Sequence, residues 1–145
     1  AGGSSMIRKM EAMDHDVVMD IWLHGNLAAH SFLSPTYWKK QYAMVSQAIQ
    51  EAEVYVYEEN GAVVGFVGLQ DTYIAGIFVS EAMQNRGIGK KLMDELKKHK
   101  TILHLHVYEK NEKALRFYQR EHFTILTKED DAETNAQVYH LMWKA

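Results

Sequence analysis

The chain has no cysteine and a single proline in 145 residues. Without cysteine there is no disulfide framework, no thiol nucleophile and no thiolate metal site, a composition that fits a reducing cytoplasm. One proline leaves no Pro-rich linker, and neither repeats nor low-complexity tracts interrupt the chain. No run reaches the ~18 apolar residues of a membrane span, and no secretory pattern precedes the first strand. Charge of one sign is scarce too. A net charge of −3 offers no basic excess for a phosphate backbone, so nucleic acid is not an expected partner. What remains is a globular balance, 47% hydrophobic and 24% charged, over a length that suits one domain with its own core. Ala1 to Ser5 reads as a tag remnant, with one domain expected over 6–145.

Periodicity predicts the elements in order. Met6 to Met10 is a short strand, and Asp14 or Asp16 is placed to cap a helix carrying Val17, Val18, Ile21, Trp22 and Leu27. Gly25 interrupts that helix pattern, and Pro35 forces a break before a second helix to about Gln50. Glu53 to Tyr57 and Ala62 to Leu69 are strands around an Asn60-Gly61 hairpin turn. Tyr73 to Val79 is a strand, Ile88 to His99 a helix, Ile102 to Tyr108 a strand and Glu112 to Arg120 a helix. Thr124 to Thr127 and Val138 to Trp143 close as a hairpin across an acidic loop, Lys128 to Gln137. The order β-α-α-β-β-β-α-β-α-β-β leaves the strand pairing open.

Two segments carry chemistry. Between the strand ending at Val79 and the helix beginning at Ile88 lies Gln84-Asn85-Arg86-Gly87-Ile88-Gly89-Lys90. A helix's first turn has unpaired N–H groups and the positive end of the dipole, which together favour phosphate. Gly87 and Gly89 allow close approach to the backbone, and Asn85 tolerates left-handed angles. A Walker loop is excluded because no Gly-Lys-Ser/Thr follows, and a dinucleotide fingerprint because there is no third glycine. The second segment, Asn111 to Phe123, holds Asn111, Ala114, Phe117, Tyr118 and Phe123.

Gln-x-x-Gly-x-Gly at Gln84, Gly87 and Gly89 resembles the coenzyme A pyrophosphate loop of the GNAT superfamily of N-acetyltransferases. Asn-x-x-Ala-x-x-Phe-Tyr at Asn111 to Tyr118 resembles that superfamily's closing motif. The resemblance implies an α/β (α+β) fold with a mixed, mostly antiparallel sheet, helices on both faces, and fourth and fifth strands that splay apart. It implies acetyl transfer from acetyl-CoA to the primary amine of a small molecule or protein, by direct attack on the thioester. Backbone groups of Phe78 and Val79 would pair with the pantetheine arm. Amides from Asn85 through Arg86, Gly87, Ile88 and Gly89 to Lys90 would hold the pyrophosphate, with Arg86 and Lys90 adding charge or remaining solvated. Tyr118 falls where the family often protonates the departing sulfur, and a phenol's pKa of ~10 suits a thiolate. Asn111 would bond the pantetheine arm or cap the next helix.

The proton-accepting group is more open. His104 and His106 share one face of their strand, opposite Leu103, Leu105 and Val107, so they face the acceptor side if the leucines pack on helices. His30, eight residues after Trp22, resembles a histidine in the interhelix loop of a subgroup of small bacterial acetyltransferases. An ordered water is an equal alternative to His106 or His30. No Cys/His or His-Glu-x-x-His pattern predicts a metal. Tyr37, Trp38 and Tyr42 line an acceptor pocket or belong to the core, and Glu129, Asp130, Asp131 and Glu133 would suit a cationic acceptor. Three positions depart from the family pattern: Glu81 for proline, Asn85 for the first glycine, and His122 for the glycine before Phe123. A non-catalytic acyl-CoA-binding regulatory module is the alternative function, and a different nucleotide binder the third. Either a monomer or a homodimer is compatible with the sequence.

Overall fold

The computed structural model describes residues 3–145, so Ala1 and Gly2 of the expected tag remnant lie outside the described residues. The elements are β1 (Ser5–Lys9), α1 (His15–Ala29), α2 (Pro35–Glu51), β2 (Glu53–Glu59), β3 (Ala62–Gln70), β4 (Tyr73–Val79), α3 (Ile88–His99), β5 (Ile102–Tyr108), α4 (Glu112–Arg120), β6 (Thr124–Asp131) and β7 (Ala136–Lys144). The expected order holds, with two single 3-10 turns added at Ala12–Asp14 and Glu81–Met83. Ser5 already pairs with Glu59, so β1 begins inside the stretch read as a remnant.

The sheet order is β1-β2-β3-β4-β5-β7-β6. Every neighbouring pair is antiparallel except β4 and β5, which run parallel and meet at one residue pair, Tyr73 with His104. Beyond that pair the two strands part toward Val79 and Tyr108, and a gap opens in the middle of the sheet. α1 and α2 cover one face, where Val18, Trp22, Trp38 and Ile49 pack on Val54, Val56 and Phe66. α3 and α4 cover the other, where Leu92, Met93, Leu96 and Tyr118 pack on Leu103, Leu105 and Val107. Leu96 is fully buried, and truncating such a side chain to alanine costs about 2–5 kcal/mol.

Three local findings refine the sequence reading. Asp14 stands at the start of α1, yet its carboxylate does not cap it. The carboxylate instead accepts from Arg8 at 2.7 Å and from the Glu11 amide at 2.8 Å, which ties β1 to the 3-10 turn. α1 runs through Gly25 without a break. The absent side chain has a packing reason, since a Cβ there would come within 2.7 Å of the Phe78 ring. The acidic segment Lys128 to Gln137 is not a loop. β6 extends to Asp131 and pairs Glu129 with Val138 and Asp130 with Gln137, leaving 132–135 as the turn. Its side chains are exposed along an edge strand, where charge is tolerated while the backbone keeps its ladder. Composition alone had suggested a loop.

Candidate active site

One cleft of about 1590 Å³ opens along the gap between β4 and β5. A pocket for one small ligand is typically ~300–1,000 Å³, so this cleft has room for two reactants. It runs from the glycine loop, past Tyr118, to the acidic hairpin of β6 and β7.

The loop end is built by backbone. Asn85 and Gly87 both take left-handed angles, with φ of 63° and 80°. Gly87 closes the loop onto α3, whose first helical bond runs from the Lys91 amide to the Gly87 carbonyl at 3.1 Å. The amides of Ile88, Gly89 and Lys90 precede that bond and are free for an anion. Gly87 has nothing within 4 Å of where a Cβ would stand, so the loop's mouth is open. Gln84 turns back under the loop. Its amide donates to the Val79 carbonyl at 3.1 Å, and its oxygen accepts from Lys113 at 3.0 Å.

Strand alternation decides which β4 groups face the gap. The Ser80 amide bonds Val64 of β3 at 2.8 Å, and Phe78 stands opposite Phe66. The backbone groups of Phe78 therefore turn toward β3, and those of Ile77 and Val79 turn into the gap. This corrects the expectation for Phe78. Its ring, stacked on Phe66 at 5.6 Å, forms an apolar wall of the cleft, and Ile77 takes its place as a source of free backbone groups, beside the amide of Val79, whose carbonyl is held by Gln84. The two loop cations, expected either to add charge or to remain solvated, are placed differently. Arg86 is exposed and does not border the cleft. Lys90 borders it, but its ammonium lies 3.5 Å from Glu121 and 3.6 Å from Asp94, so its charge is shared with two carboxylates.

Tyr118 projects from α4 into the middle of the cleft. It is 9% exposed, and its hydroxyl has no hydrogen-bond partner among the described residues. Burial, with Tyr73 nearby, holds the phenol well above its ordinary pKa. It is thus a neutral phenol at the lining of the cleft. Asn111 caps α4, accepting from the Ala114 amide at 3.3 Å, and its own amide donates to Nε2 of His30 at 3.2 Å.

His30 is consequently a poor free base. It is 8% exposed and stacked on Trp38 at 5.1 Å. Burial pushes it down to about 4, and its lone pair is engaged by Asn111. It ties the α1–α2 connection to the start of α4. His106 is different. It faces the cleft from β5, shares a hydrogen bond of 2.9 Å with the Tyr73 hydroxyl through Nδ1, and lies 3.3 Å from Glu129 of β6. His104 lies on the same face but bonds His140 at 3.0 Å, and burial holds it below its ordinary value. Leu103, Leu105 and Val107 pack on the other face as anticipated. At the far end Asp131 accepts from Tyr108 at 3.3 Å, and Glu133 from Gln41 of α2 at 3.2 Å, which anchors the acidic hairpin over the cleft mouth. Sequence reasoning missed Tyr73, Ile77 and the pairing role of Glu129. Their partners lie on other strands, and only the register brings them together.

Comparison with known proteins agrees with this geometry. The family model for the acetyltransferase (GNAT) domain matches residues 50–125. The chain is 31% identical over 140 residues to the peptidyl-lysine N-acetyltransferase YiaC of Escherichia coli K12, covering 95% of this chain and 96% of that protein. The solution structure of apo YjaB from Escherichia coli superposes with a TM-score of 0.85 at 24% identity, covering 97% of each chain. The structure of yncA from Salmonella typhimurium with its cofactor acetyl-CoA superposes with a TM-score of 0.71 at 19% identity, over 97% of this chain and 94% of that one.

Proposed function

The chain belongs to the GNAT acetyltransferases and moves an acetyl group from acetyl-CoA to an amine; from that premise we propose that the amine is a lysine side chain of a protein or peptide. The observation that carries this reading is the open cleft mouth rimmed by Glu129, Asp130, Asp131 and Glu133. An extended chain has room to cross it, and a cationic side chain would be drawn in by the carboxylates. The likeness to a peptidyl-lysine N-acetyltransferase supports the same acceptor.

The residues present suit acetyl-CoA on three counts: free amides at the start of α3, the Ile77 backbone and the Val79 amide along the gap, and an unpartnered phenol between them. Bound there, the cofactor supplies an acetyl thioester. Amides of Ile88, Gly89 and Lys90, with the loop shaped by Gln84, Asn85 and Gly87, hold the pyrophosphate. Ile77 and Val79 align the pantetheine arm by strand-like pairing, and Asn111 fixes the start of α4. Tyr118 donates its proton to the sulfur as the thiol leaves. The acceptor must attack as a neutral amine, which assigns His106 to the proton-accepting side. Residues 6–145 act as the catalytic domain, in the cytoplasm, as a monomer or homodimer and without nucleic acid. Among the described residues, no helix is long and apolar enough to cross a membrane.

The test is acetyl transfer from acetyl-CoA to a panel of lysine peptides and small amines, with the modified atom located by mass spectrometry. Modification of lysine Nζ, with KM for the peptide raised several-fold in Asp130→Asn/Asp131→Asn and KM for acetyl-CoA unchanged, is the expected result. Turnover with small amines alone would overturn the assignment.

A further inference from the structure

Around His106 the cleft brings together polar side chains from three strands. Tyr73 opens β4, and its hydroxyl shares a hydrogen bond of 2.9 Å with Nδ1 of His106 on β5. Nε2 of the same ring lies 3.3 Å from a carboxylate oxygen of Glu129 on β6. A carboxylate has no proton to give, so the tautomer that suits both neighbours carries its proton on Nε2, on the Glu129 side, and leaves Nδ1 to accept from Tyr73. All three residues border the cleft. The remaining titratable groups facing His106 are His140, stacked on it at 4.6 Å, and His104, which bonds His140 at 3.0 Å. His104 is pressed toward its neutral form by burial and by its two neighbouring imidazoles.

This cluster meets the gap opposite the acid. Tyr118 reaches the cleft from α4, which packs on the leucine face of β5, while Tyr73 and His106 occupy the other face. The two phenols are close enough that charge on Tyr73 disfavours charge on Tyr118.

We propose that Tyr73, His106 and Glu129 form the exit path for the acceptor amine's proton, a role that rests on the acetyl-transfer reading above. As the N–C bond forms and the C–S bond breaks, the nitrogen's surplus proton passes to the Tyr73 oxygen. The phenol's own proton passes to Nδ1 of His106, and the imidazolium so formed is held by Glu129. The sulfur takes its proton separately, from Tyr118. The His106 side chain is 37% exposed and returns its proton to water, from which Tyr118 is reprotonated. Tyr73 would be the catalytic residue that touches the amine, with His106 and Glu129 acting through it.

A purely structural hydrogen bond tying β4 to β5 at their single point of pairing would not set a pH profile. The test is the pH dependence of kcat/KM for a lysine peptide in the wild type, Tyr73→Phe, His106→Gln, their double variant and Glu129→Gln, with unfolding temperature and acetyl-CoA affinity measured alongside. Each single change at Tyr73 or His106 is expected to lower kcat/KM about 10²-fold at neutral pH. The double variant should fall no further than the worse single one, because the pair acts as a unit. Glu129→Gln should lower kcat/KM by less than either single change, because Glu129 acts on the path only through His106. Acetyl-CoA affinity should stay constant throughout. The path is overturned if Tyr73→Phe keeps the wild-type profile, if the two losses multiply, or if lost folding or cofactor affinity accounts for them. A wild type that acetylates no amine would instead bring down the acetyl-transfer reading, and the path with it.

Discussion

The two ends of the cleft are made of different material. At the glycine loop the binding groups are backbone amides, presented by left-handed angles at Asn85 and Gly87 and by the first turn of α3. At the acceptor end they are side chains, brought from β4, β5 and β6 and held by pairwise contacts such as Tyr73 with His106. The loop end depends on a few consecutive residues, so its chemistry is local. The acceptor end depends on strand register, so its chemistry is distributed. The first would serve any substrate that carries the same phosphates, whereas the second can change its acceptor by side-chain replacement while leaving the cofactor in place.

Changes that act at one end should therefore spare the other. The largest effect is expected at the junction. Tyr118→Phe removes one oxygen from a well-packed ring and should lower kcat by about 10²–10⁴-fold, while acetyl-CoA affinity measured by calorimetry stays within error. At the loop, Gly87→Ala meets no steric obstacle but forces a Cβ onto a φ of 80°. That strain costs about 1–2 kcal/mol, which predicts roughly tenfold weaker acetyl-CoA binding and an unchanged KM for the acceptor. A rise in acceptor KM for this variant would break the separation of the two ends.

The smallest effect is on stability. His30 titrates near 6.5 when unfolded and near 4 in the fold, because burial disfavours its charged form. The unfolded chain then binds more protons in this window, so His30 contributes stability above about pH 6.5 that is lost as pH falls toward 4. His30→Phe should make the fall of the unfolding temperature over that range shallower than in the wild type. An identical slope would show that another group carries the acid sensitivity.

The same contrast explains what could be read from the residues alone. The loop end was legible because Gln84, Gly87 and Gly89 sit at fixed spacing between a strand and a helix, and Asn85 takes the left-handed angle its type allows. His122, read only as a departure from the family's glycine, takes a positive φ of 71°, the backbone region a glycine enters freely. The orientation of His104 and His106 followed from alternation against Leu103 and Leu105. Periodicity says nothing of which strand lies beside which, so the neighbours of those histidines stayed hidden. Glu129 looked like a loop residue until its pairing with Val138 placed it on an edge strand next to His106. Asn111 and His30 meet across 81 residues of chain, a contact that spacing could not foretell. Phe78 was assigned to backbone pairing one residue out of phase, because alternation fixes a face only once one hydrogen bond of the ladder is known.

The account stands on the glycine loop and the splayed strands holding acetyl-CoA. Thermal unfolding with excess acetyl-CoA, against ATP and NAD as controls, tests this most directly. At ~100 times its Kd a ligand adds ~2.7 kcal/mol of stability, a rise of several degrees for a domain of this size. We expect that rise with acetyl-CoA alone, and a much smaller one at the same concentration in Gly87→Ala. No rise at saturating acetyl-CoA, or an equal rise with ATP, would contradict the assignment of the loop.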